Sequence, residues 1–126
     1  MKTQRKFALA IVMAFALGGA AVEGLRAQAK PPVYVVTEID VSELDTYTKE
    51  YAPLAQAMIK KMGGRLVAAT QNVTSFEGQP PAKRVSIQIW DSVDQYKAFR
   101  AANAENRKIG DKYAKFRAYA VEGVVQ

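Results

Sequence analysis

The stretch Lys83-Arg-Val-Ser-Ile-Gln-Ile-Trp90 alternates without interruption. Val85, Ile87 and Ile89 fall on one side; Arg84, Ser86, Gln88 and Trp90 fall on the other. A period of two is the mark of a strand whose two faces meet different surroundings. Downstream, Asp91-Ser92 ends the strand, and Ser92 with Gln95 makes a capping-box pattern. Val93, Tyr96 and Phe99 then open an apolar helix face. Ala101 to Asp111 is polar and less regular, a continuing or broken helix with Gly110 marking its end. A last strand runs from Tyr113 or Phe116 to Val125. Upstream, Glu77-Gly-Gln-Pro-Pro-Ala82 is a turn or hairpin loop, and Arg65 to Phe76 is a second extended run. Gly63-Gly64 stops a helix whose apolar positions Leu44, Tyr47, Tyr51, Ala55, Met58 and Met62 recur at steps of three and four. Ser42 is placed to cap that helix, and Pro53 should bend it near Lys49–Tyr51. Val33 to Ile39, β-branched and aromatic, is the first strand.

The order is strand, helix, strand, strand, helix, strand. It predicts an α+β, ferredoxin-like β-α-β-β-α-β sandwich: an antiparallel four-stranded sheet with helices on one face. The other face is bare. With Trp90 expected on it, that face calls for a partner sheet, and hence for a homodimer in the manner of a dimeric α/β barrel.

The 126-residue chain begins with the features of an export signal. Lys2, Arg5 and Lys6 precede an unbroken apolar run from Phe7 to Val22, and Ala27-Gln28-Ala29 has the small-x-small pattern of a signal-peptidase site. The run is about four residues short of a membrane span, which predicts only a transient membrane encounter. Residues 1–29 are therefore expected to be a signal peptide cleaved after Ala29. Residues 30–126 would form one domain in the periplasm or outside the cell. The chain carries a formal +6. Lys2, Arg5, Lys6 and Arg26 against Glu23 supply half of it, so the domain itself is +3, too mild for a nucleic-acid partner.

Several stretches together resemble an uncharacterised family of the dimeric α/β-barrel superfamily, domain of unknown function 1330. They are Tyr34-Val-Val-Thr-Glu-Ile-Asp40, Tyr47-x-x-x-Tyr51, Gly63-Gly-Arg-Leu66, Phe76-Glu-Gly78, Arg84-Val-Ser-Ile-Gln-Ile-Trp-Asp-Ser92 and Val121-Glu-Gly123. The resemblance implies a ferredoxin-like protomer that packs sheet to sheet with a second copy. It also implies a tryptophan-tyrosine pair, a serine, a tyrosine and an arginine on the second helix. Those places hold Ala98-Phe99, Ala101, Ala104 and about Asp111 in this chain, so the second-helix half of a shared site is expected to be altered or missing.

The chain has no histidine and no cysteine. That removes Ser-His and Cys-His nucleophile pairs, zinc sites of the common ligand types, and haem held by His or Cys. No glycine-rich phosphate loop is present, and neither a cofactor nor a metal is expected. The remaining polar candidates are Glu38, Arg65, Glu77, Arg84, Ser86, Gln88 and Trp90, with Tyr47 and Tyr51 from the first helix. Arg84, Trp90, Tyr51, Glu77 and Gln88 are the expected ligand-binding set. An arginine fork beside a flat ring suits a small anionic or aromatic molecule. Alternatively, Arg84 pairs with Glu77 or Glu38 across strands and Trp90 fills the core of the dimer. The pairs Lys60-Lys61 and Arg107-Lys108 read as solvated charge. Two functions survive: a small-molecule-binding or accessory protein of the cell envelope, and a cofactor-free oxygenase or isomerase acting on a small aromatic or lactone-like substrate. The second requires a general base, and only carboxylates are available for it.

Overall fold

The computed structural model describes residues 30–125. The expected signal peptide, residues 1–29, lies outside the described residues. The strands are β1 (Val33–Val41), β2 (Arg65–Thr70), β3 (Arg84–Trp90) and β4 (Ala114–Glu122). They lie in the order β2-β3-β1-β4, and every neighbouring pair is antiparallel. Between β1 and β2 come a single turn α1 (Leu44–Thr46), a π-helical turn (Tyr47–Tyr51) and α2 (Ala52–Lys61). Between β3 and β4 come α3 (Val93–Ala102) and α4 (Ala104–Gly110). This is the ferredoxin-like α+β sandwich. Among the described residues no helix is long and apolar enough to cross a membrane.

Local chemistry explains most boundaries. Pro53 sits in the first turn of α2, where its missing N–H is harmless. The irregularity expected there takes the form of the wide turn at Tyr47–Tyr51. Gly63 adopts φ 88, and the Gly64 N–H donates to the Ile59 carbonyl at 2.9 Å, closing the helix end. Ser92 Oγ accepts from the Gln95 N–H at 3.0 Å, while Gln95 Oε1 accepts from the Asp91 N–H at 2.7 Å. The helix breaks only at Asn103, and bonding continues across it: Asn103 N–H to Phe99 O and Arg107 N–H to Asn103 O, both 2.8 Å.

Three local expectations are corrected. Ser42 does not cap the first helix; its Oγ donates to the Tyr113 carbonyl at 2.9 Å and ties β1 to the start of β4. The second extended run ends at Thr70, not Phe76. Thr70 Oγ1 accepts from the Asn72 N–H at 2.9 Å, and the chain leaves the sheet for a loop reaching Lys83. The last strand ends at Glu122, where the Gly123 N–H donates to the Pro32 carbonyl.

The larger correction concerns the faces of the sheet. Register pairs Val33 with Trp90, Val35 with Gln88, Thr37 with Ser86 and Ile39 with Arg84, and this whole set lies beneath the helices. Trp90 is therefore not on the bare face. It is 1% exposed, with ring centroids 5.1 Å from Phe99 and 5.8 Å from Tyr96. The polar-looking half of the alternation is the covered half because Gln88 satisfies the indole: Trp90 Nε1–H donates to Gln88 Oε1 at 2.9 Å. The bare face instead carries Tyr34, Val36, Val85, Ile87, Ile89, Tyr119 and Val121, with a Glu38–Arg117 pair at 3.5 Å.

Candidate functional site

A cavity of about 240 Å³ lies between the sheet and the helices. Its floor comes from β1 and β3, as Thr37, Ile39, Ser86 and Gln88. Tyr51, Ala55 and Ile59 supply one wall; Tyr96, Phe99, Arg100, Asn103, Ala104 and Arg107 supply the other. Phe116 and Ala118 of the edge strand β4 complete it. Arg100, Ala104 and Ala118 are exposed, so the cavity opens along the β4 edge.

The second-helix residues reach it by periodicity. Tyr96, Arg100, Asn103 and Arg107 are spaced four, three and four apart, one face of a helix that stays in phase through the break at Asn103. Arg107 is held on two sides and part-buried. Its Nε–H donates to Asp111 Oδ1 at 2.9 Å, its guanidinium carbon lies 3.6 Å from the centroid of the Phe116 ring, and its side chain is 34% exposed. Asn103, buried, donates from Nδ2 to the Tyr51 hydroxyl at 3.1 Å and accepts from Asn106 Nδ2 at 3.1 Å. With that bond accepted, the Tyr51 proton is free to be donated.

Burial raises the pKa of Tyr51 above the usual phenol value, opposed by the Asn103 hydrogen bond and the charge of Arg107. Burial likewise raises Tyr96, opposed by Arg100 and Arg107. Both phenols are thus neutral donors at ordinary pH. On the floor, Thr37 Oγ1 is buried and has no hydrogen-bond partner. Among the described residues that line the cavity, none is a carboxylate.

The structure divides the expected site residues. Tyr51, Gln88 and Ser86 line the cavity, and Trp90 stands behind Gln88. Arg84 does not line it and pairs with neither Glu77 nor Glu38. Its Nη1 donates to Gln71 Oε1 at 3.2 Å, and its guanidinium carbon is 5.6 Å from the Tyr47 ring centroid. Glu77 is exposed on the loop after β2. Glu38 faces the bare side, where it also accepts from the Ala82 N–H; Arg65 is exposed on that side too. The second helix, whose half of a shared site was expected to be altered or missing, contributes the larger share of the wall through Tyr96, Phe99, Arg100, Asn103, Ala104 and Arg107. Arg107 is a site residue rather than solvated charge, whereas Lys108 pairs with Glu105 on the surface. The spacing of residues 96, 100, 103 and 107 was the signal for these positions, and the β1 alternation of Val35, Thr37 and Ile39 was the signal for Thr37. Among the described residues no group of three or more Asp or Glu side chains is placed to hold a metal ion.

Solved structures share this architecture. A protein of unknown function from Rhodopseudomonas palustris superposes with a TM-score of 0.61 at 13% identity, over 82% of this chain and 92% of that one. An ethd-like protein from Ralstonia eutropha gives 0.53 at 18%, over 77% and 96%. A conserved protein of unknown function from Bacteroides thetaiotaomicron, described as a possible oxidoreductase, gives 0.50 at 18%, over 75% and 99%. At these identities the likeness is one of fold. Among curated proteins none matches the chain. The pattern of one family does match, over residues 32–124, nearly the whole of the domain just described, and the chain belongs to that family, domain of unknown function DUF1330.

Proposed function

We propose that this chain is an exported small-molecule-binding protein that acts as a homodimer. The observation that carries the binding reading is the orphaned Thr37 hydroxyl on the floor of a cavity otherwise lined by apolar walls and hydrogen-bond donors. A buried hydroxyl without a partner costs about 1–3 kcal/mol, and a ligand supplying an acceptor relieves that cost. The competing reading, a cofactor-free oxygenase or isomerase for an aromatic or lactone-like substrate, needs a base that takes a proton. The described lining offers phenols that burial keeps protonated, and no carboxylate. A fragment screen by ligand-observed NMR tests the binding reading against Ala118→Trp, which places a ring in the mouth from an exposed edge-strand position. Fragments that bind the unaltered protein and are lost from the variant support it; an equal response from both proteins removes it.

The dimer rests on the bare face. Tyr34, Val36, Val85, Ile87, Ile89, Tyr119 and Val121 make a two-dimensional apolar surface, with Tyr119 44% and Val121 47% exposed. Such a surface on a sheet is matched in shape by another copy of itself about a twofold axis. Ile87→Lys, central on that face, should give monomers by light scattering, and an unaltered protein that is itself monomeric overturns the proposal. Export rests on the Lys2–Ala29 pattern. N-terminal sequencing from the envelope fraction should begin at Lys30, and a product retaining Met1 sinks it.

A further inference from the structure

We propose that the cavity takes a small flat monoanion, an aromatic or unsaturated carboxylate, with its charged end between Arg100 and Arg107. The inference deepens the small-molecule-binding reading and rests on it.

Charge, size and shape each narrow the class. Arg100 forms no ion pair among the described residues, while Arg107 shares its charge with Asp111. Two guanidinium groups against one carboxylate leave a single unbalanced positive charge at the mouth, which suits a monoanion better than a dianion or a cation. Arg107 is pre-organised for the task. Asp111 holds Nε and Phe116 holds the face, so the rotamer is set before a ligand arrives and the two Nη groups remain as a forked donor edge. The Tyr51 proton is available beside it, because that hydroxyl already accepts from Asn103.

The volume, about 240 Å³, equals the share of about eight liquid waters, which is room for one ring with a short substituent. Phe99, Phe116, Ile39 and Ile59 supply apolar contact for the body of such a molecule. At the deep end Thr37 needs an acceptor, and Ser86 and Gln88 lie on the same floor. An accepting ring substituent would meet this end, while the anionic head and the apolar ring define the class.

The experiment is isothermal titration of the full domain with benzoate, benzamide and benzylamine, three molecules of one size and three charge states. It is repeated with Arg100→Gln and Arg107→Gln. The expected result is benzoate tightest and benzamide about tenfold to a hundredfold weaker, with benzylamine weakest. Arg100→Gln should remove most of the acid-over-amide preference, because benzoate loses both the charge and the hydrogen bond whereas benzamide loses only a neutral hydrogen bond. Arg100 is exposed and unpaired among the described residues, so this variant keeps its fold even if loss of the Arg107–Phe116 stack impairs the other. Equal affinity for all three probes, or an acid preference that survives Arg100→Gln, overturns the monoanion class while the binding reading stands. No heat from any probe up to about 10 mM, the range in which a single-ring fragment binds, overturns the class, and the fragment screen against Ala118→Trp then decides the binding reading separately.

Discussion

The layer between sheet and helices has two ends that differ in kind. At one end Val33, Val35, Ile59, Trp90 and Phe99 close on each other, with Met58, Met62, Leu66 and Tyr96 around them. The indole N–H, the one polar group that the tryptophan brings, is satisfied by Gln88. At the other end Ile39, Tyr47, Tyr51, Ala52 and Ala114 pack with Phe116, and the space beside them is left unfilled. Phenols, guanidinium groups and an orphaned hydroxyl border that space. The first end is organised to be dense and dry, which is how a domain of this size without disulfides gains its stability. The second keeps polar groups half-satisfied, an arrangement that weakens a fold unless something binds there.

The sharpest break of this contrast is Trp90→Ala. It empties the dry end and removes contacts to Phe99 and Tyr96 at once. The expected loss is about 3–5 kcal/mol, measured by chemical denaturation. A loss near that of an exposed substitution would mean that the dry end is not the main support of the fold. Gly64 belongs to the same packing: a Cβ there would lie 2.5 Å from the indole ring, so the ring fits against the helix stop only with glycine at this position.

The next effect is on pH and belongs to the polar end. Burial, reinforced by Tyr51 and opposed by Arg84, raises the Tyr47 pKa to about 12. In the unfolded chain the same phenol ionises near its ordinary value of 10.0. Between those two values the unfolded state has lost its proton and the folded state has not. The contribution of Tyr47 is therefore complete below pH 10 and is lost as pH rises towards 12. A shift of this size corresponds to roughly 2–3 kcal/mol. Denaturation curves across that window should fall more steeply for the unaltered protein than for Tyr47→Phe. Equal slopes would show that the phenol reaches water in the folded state.

The smallest effect separates an empty cavity from a filled one. Thr37→Val keeps the volume and deletes the unpartnered hydroxyl. The ligand-free protein should gain about 1 kcal/mol, seen as a rise in Tm. A fall would mean that ordered water already satisfies the group, and the polar end would then be less frustrated than its hydrogen bonds suggest.

Much of the fold was legible because its signals are local. The Arg84–Trp90 alternation, the Ser92-Gln95 box, the Gly63-Gly64 stop and the irregularity before Pro53 depend on neighbours in sequence, and each appears where its chemistry requires. The site was only half legible. Tyr51 and Gln88 were visible as candidates and line the cavity, whereas Arg84 and Glu77 lie outside it, and the lining residues Thr37, Tyr96, Arg100, Asn103 and Arg107 were not singled out. The Arg84-Ser86-Gln88-Trp90 face of β3 looks like the face away from the helices only while each residue is judged alone. Trp90 and Gln88 satisfy each other, and a pair that does so can be buried.

By itself the sequence determined the order of the elements, the ferredoxin-like class and the exclusion of histidine and cysteine chemistry, since these follow from composition and from spacing along the chain. The tertiary structure alone decided which half of the β3 alternation the helices cover. It also decided that Arg107 stacks on Phe116 and that Tyr51 meets Asn103, 52 positions away. A period of two states that a strand has two faces without stating which is inside. That choice is made by the helices that pack on it and by the polar groups able to pair once water has gone.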